Sequence, residues 1–141
     1  MTNAYFYRTA AEIEEVVRRF EECSYTPEEF VHARHLTVAA WYFAMFDAKA
    51  ARERMRSGLR KFIAYHGKSG YHETITEFWL RLVENTVRES KSGELGLVAR
   101  VNDVIARGRD KDLIYEHYRR ESLATPKAKV TCLEPDLRPL G

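Results

Sequence analysis

Apolar residues recur along the chain at the three- and four-residue intervals of amphipathic helices, and the glycines and prolines fall almost entirely between those stretches. The pattern predicts a first helix from about Thr9 to Cys23, with Ile13, Val16, Val17 and Phe20 on one stripe and Glu and Arg opposite. Thr26-Pro27-Glu28-Glu29 carries an N-cap hydroxyl, a proline at the first helical position and a glutamate three residues after the cap. It predicts that a second helix starts there and runs to about Phe46. This segment is apolar nearly all round, with Leu36, Ala39 and Phe43 on one side and Phe30, Trp41 and Met45 on the other. It is expected to be the central, most buried helix.

Asp47 is placed to cap a third helix whose stripe is Ala51, Met55, Leu59, Phe62 and Ile63, ending at Gly67. Arg52, Arg54, Arg56, Arg60 and Lys61 give it a basic face, expected to be solvated. A fourth helix follows from about Tyr71-His72-Glu73 to Ser90, with Ile75, Trp79, Leu82 and Val83 inward. Glu77, Arg81, Glu84 and Arg88 form its expected wet face, with i,i+4 pairs. Two shorter helices, about Glu94–Arg107 and Lys111–Tyr118, complete the pattern. Pro135 and Pro139 exclude regular helix at the end of the chain, so residues 124–141 are expected as an extended strap or tail. The fold class is therefore all-α: an up-down bundle of four main helices with one or two shorter C-terminal helices, in one domain over residues 1–141.

Composition narrows the function classes. The chain has 141 residues, 45% hydrophobic and 31% charged, with a formal charge of +2, which fits one compact domain and does not support a dedicated nucleic-acid binder. The longest apolar run, Val38 to Phe46, is far short of the roughly 20 residues that cross a bilayer. Cys23 and Cys132 lie far apart with no CxxC pattern, and a cytoplasmic setting is the expectation. No Walker loop, GxGxxG, GxSxG or EF-hand pattern occurs.

The candidate chemistry lies in the histidines. In an up-down bundle the second and fourth helices start at the same end, where the third helix stops. That end collects His32, His35, His66 and His72. His32 and His35 share the stripe of Leu36, Ala39 and Phe43, and His72 that of Thr76, Trp79 and Val83. An HxxH pair with a third imidazole from a neighbouring helix matches a three-nitrogen site for a divalent metal, and Zn, Fe, Mn and Ni are not distinguished by such ligands. Glu73 and Glu28 are the candidate general bases or fourth ligands. The expectation is a metal-dependent enzyme of hydrolase or oxygenase type acting on a small molecule. The competing expectation is a non-enzymatic ligand-binding or protein-interaction domain with structural histidines, in which His66 is a cation at a helix C-terminus and the glutamates simply suit first helical turns. One axial difficulty attends the metal reading: with a cap at Thr26, His32 lies six residues into its helix, roughly 9 Å along the axis at 1.5 Å per residue, while His72 sits at a first turn. Tyr71, Trp79, Trp41, Tyr42, Tyr115 and Tyr118 can line a pocket, although aromatics at helical spacing more often form core.

His32-Ala-Arg-His35-Leu36 with Ala39 and Trp41-Tyr42, Gly70-Tyr-His-Glu-Thr-Ile-Thr-Glu-Phe-Trp79 and Glu134-Pro-Asp-Leu-Arg-Pro-Leu140 together resemble an uncharacterised bacterial family of small single-domain helical proteins. The resemblance spreads over most of the chain and implies no particular activity, substrate or cofactor. The chain departs from the family pattern at Glu29-Phe-Val, where a tryptophan and a threonine are expected, and at Thr131-Cys-Leu, where an aromatic is expected. The proposed ligands are untouched by either departure.

Overall fold

The computed structural model describes residues 6–91 and 96–140, with the side chains of Ser90 and Lys91 excepted. The described chain is helical, without strands: α1 (Ala10–Glu21), α2 (His32–Met45), α3 (Ala48–Tyr65), α4 (Glu73–Lys91), α5 (Leu97–Gly108), a 3-10 segment (Lys111–Glu116), α6 (Arg120–Leu123) and α7 (Pro126–Val130). The last of these is a correction to the expected tail, since Thr125 caps a helical turn inside it by accepting from Ala128 N–H. Residues 94 and 95, the expected start of the fifth helix, lie outside the described residues. None of the described helices is long and apolar enough to cross a membrane.

Local capping explains several boundaries. Thr9 and Glu12 form a reciprocal capping box at the start of α1, and the Asp47 carboxylate accepts from Ala50 N–H at 2.8 Å to open α3. Gly67 takes φ +64° just past the end of α3, a backbone conformation that a side chain would strain.

The start of α2 differs from expectation. Thr26 and Glu29 do pair reciprocally, Glu29 N–H to Thr26 Oγ1 at 3.2 Å and Thr26 N–H to Glu29 Oε1 at 2.9 Å, but they close only one turn. The chain then extends at Val31 (φ −72°, ψ 168°), and the helix begins at His32. The reason lies in Phe30. A continuous helix would put Phe30 on the side opposite Leu36. The break instead buries its ring against Phe20 (centroids 4.8 Å apart), Phe62 (5.1 Å) and His35 (4.0 Å). Burying such a ring is worth about 1.5–3 kcal/mol, more than one short cap contributes.

α2 is the hub, packing against α1, α3, α4 and α5. The main core joins Ile13, Val17 and Phe20 of α1 to Leu36, Val38 and Ala40 of α2, Leu80 and Val83 of α4, and Val101, Val104 and Ile105 of α5. A second core forms around Phe78, Ile114, Tyr118 and Leu123, covered by Leu133 and Leu140 from the C-terminal strap. The strap is tied down by polar contacts: Leu137 N–H donates to His117 O, His117 Nδ1–H to Arg138 O at 2.7 Å, and the Tyr118 hydroxyl to Leu133 O at 2.6 Å.

Between α3 and α4 the expected solvated faces meet instead. Glu77, placed by periodicity on a wet face, is only 8% exposed and accepts from Arg52 (3.2 Å), Arg56 (2.6 Å) and Arg81 (3.2 Å). Burial opposes its charge, but Arg52 and Arg56 outweigh that and hold the carboxyl below the usual range. Arg52 and Arg56 of the basic face thus serve as the counter-charge of α4.

Candidate functional site

A cavity of about 360 Å³ opens between α2, α3 and α4 at the end where α2 and α4 begin. α2 contributes His32, His35, Leu36 and Ala39, α3 contributes Met55, Leu59 and Ile63, and α4 contributes Ile75, Thr76, Trp79, Leu80 and Val83. The Gly70-Tyr71-His72 segment closes one side. The three histidines singled out from sequence therefore share one chamber, and the late start of α2 is what brings them level. His32 is now the first residue of its helix and His72 immediately precedes α4, so the axial difficulty disappears.

Their ring nitrogens are differently occupied. His32 Nε2 lies 2.7 Å from Gly108 O at the end of α5, and its ring meets Trp79 edge-on at 4.5 Å. His35 Nδ1 lies 3.1 Å from Val31 O. A carbonyl only accepts, so each of these nitrogens carries the proton and the other, His32 Nδ1 or His35 Nε2, is an unprotonated acceptor with no partner among the described residues. Burial pushes both rings towards the neutral form, His35 down to about 4.

His72 is fully engaged. Its Nδ1 accepts from Ile75 N–H at 3.1 Å, making it the side-chain cap of α4, and its Nε2–H donates to Leu123 O at 2.7 Å. No lone pair remains for a metal in this arrangement. Among the described residues no group of three or more His, Cys, Asp and Glu side chains is placed to hold a metal ion.

The two candidate carboxylates stand away from the chamber. Glu28 is exposed on the turn before α2, and neither it nor Glu73 lines the cavity. Glu73 is held by Arg56 at 2.9 Å and accepts from the Tyr71 hydroxyl at 2.7 Å. Burial, with Glu73 as acceptor and neighbouring charge, raises the Tyr71 pKa. His66 follows α3 with its ring 4.6 Å from Phe62 and its Nε2 buried without a hydrogen-bond partner among the described residues; it is not among the residues that line the cavity.

Of the aromatic residues considered, Tyr71 and Trp79 line the chamber, while Tyr42 and Tyr118 are buried in the cores. Met55, Leu59 and Ile63 belong to the site although their stripe reads simply as core. A wall and a core-facing stripe carry the same periodicity, and only the gap left between three helices separates them. No protein-family model, curated protein or solved structure matches the chain.

Proposed function

We propose that this protein is a small-molecule binding domain that takes an uncharged, largely apolar ligand between α2, α3 and α4. The observation that carries this reading is the cavity itself: about 360 Å³, within the range of about 300–1,000 Å³ of small-molecule sites, with apolar walls and no Asp, Glu, Lys or Arg among its lining residues. An apolar chamber with a few convergent polar atoms is the usual build of such a site.

Titration with indole and its near-isostere benzofuran, followed by amide NMR shifts, tests it. Saturable binding of at least one of them is expected, with a Kd below about 1 mM and shifts clustered at the cavity walls. Leu59→Trp, which fills the chamber from α3, is expected to abolish binding while leaving the thermal midpoint near that of the wild type. Saturable binding of neither probe would overturn the reading.

The metal-dependent alternative, a hydrolase or oxygenase using His32, His35 and His72 with Glu73 or Glu28 as base, requires His72 to surrender its cap and its bond to Leu123 O. Stoichiometric metal in tag-free protein, lost in both His32→Ala and His72→Ala, would favour that alternative instead. The binding reading expects no change in thermal midpoint on chelation.

A further inference from the structure

We infer that the cavity selects uncharged ligands that carry a hydrogen-bond donor, an O–H or N–H group accepted by the open imidazole nitrogens of His35 and His32. This rests on the ligand-binding reading above and specifies the class of ligand. The argument is an inventory of polar atoms. Gly108 O and Val31 O fix the tautomers of His32 and His35, so each ring turns an acceptor, not a donor, to whatever occupies the chamber. His72 has no ring nitrogen to offer. The Tyr71 hydroxyl is committed to Glu73, to which it donates at 2.7 Å. Among the described lining residues the further polar side-chain groups are the Trp79 indole N–H, a donor, and the Thr76 hydroxyl, which both donates and accepts. Two imidazole nitrogens that can only accept, with no Lys or Arg among the described lining residues, disfavour a carboxylate or phosphate and favour an alcohol, a phenol or an azole N–H. An occupant without a donor would cover two imidazole nitrogens and leave them unmet, at the cost of their desolvation.

Indole and benzofuran differ in little but N–H against ring oxygen, and benzoate supplies the anion. Indole is expected to bind the wild-type chain about tenfold more tightly than benzofuran, the value of one hydrogen bond made in place of an unmet acceptor, and benzoate more weakly than indole. The double variant His32→Leu/His35→Leu is expected to lose the preference, indole binding no more tightly than benzofuran. Should that variant fail to fold, each single Leu variant carries the same comparison and is expected to lose part of the preference. Equal affinities in the wild type, a preference that survives in the variants, or tighter binding of benzoate would overturn the inference while leaving the ligand cavity standing. Failure of both neutral probes to bind would instead overturn the cavity reading on which it rests.

Discussion

His72 shows how one side chain can look like a ligand and serve as a fastener. Its position at the head of α4 and on the stripe of Thr76 and Trp79 is legible in the sequence, but which atoms its nitrogens meet is not. Nδ1 satisfies a first-turn N–H that the helix leaves unpaired, and Nε2–H reaches 51 residues along the chain to the Leu123 carbonyl. Removing the ring is therefore expected to destabilise the fold: His72→Ala by about 1–3 kcal/mol, combining a lost cap with an unpaired carbonyl. His72→Asn retains a capping oxygen and is expected to recover roughly half of that. Urea denaturation of the three proteins checks it. Equal stability of His72→Ala and the wild type would mean that neither bond contributes.

At the scale of elements, propensity and patterning located the five longer helices but not all of their ends, nor the short helices α6 and α7. The Thr26–Glu29 box has every local feature of a helix start and does form its hydrogen bonds, yet Phe30 can reach the α1–α3 seam only if the helix is interrupted at Val31. The same seam makes Gly58 a close-approach position. A Cβ there would lie 2.6 Å from Cε2 and 2.7 Å from Cζ of Phe20, whose ring is 1% exposed and stacked on Phe30 and Phe62. Gly58→Ala would gain about 1 kcal/mol of helix propensity, but overpacking a locked ring costs about 1–3 kcal/mol. A net loss of stability is expected, measurable as a lower thermal midpoint, with Ser57→Ala on the exposed neighbouring position close to neutral. A stabilised Gly58→Ala would show that Phe20 can move aside.

The whole molecule registers the buried histidines as a pH dependence of stability. His35 has a folded pKa of about 4 because burial disfavours its cation, against about 6.5 in an open chain. Between those values the unfolded state binds a proton that the folded state does not. Stability therefore rises with pH through that window, is fully present above about 6.5 and is lost as pH falls towards 4. Burial lowers the His32 pKa in the same direction. From about pH 7 to pH 5, above the range where carboxylates titrate, the His35 contribution should fall by about 2 kcal/mol. Urea midpoints across that interval should show the slope, and His35→Gln should flatten it; an unchanged slope would mean that the ring is not held neutral by the fold.

Periodicity, glycine and proline placement and the Asp47 cap were enough by themselves to determine an all-helical chain and most of its core stripes, because those are properties of neighbours three and four residues apart. The gathering of His32, His35 and His72 at one pole was also legible, since short connections constrain which helix ends meet. Tertiary structure alone decided the rest. The partners of the histidines, Gly108 O and Leu123 O, are 76 and 51 residues away, and the carboxylates of α4 found their arginines across a helix interface. The cavity is a gap among three helices, set by how their side chains fail to fill a shared space, and a single strand of sequence has no local signal for volume that is left empty.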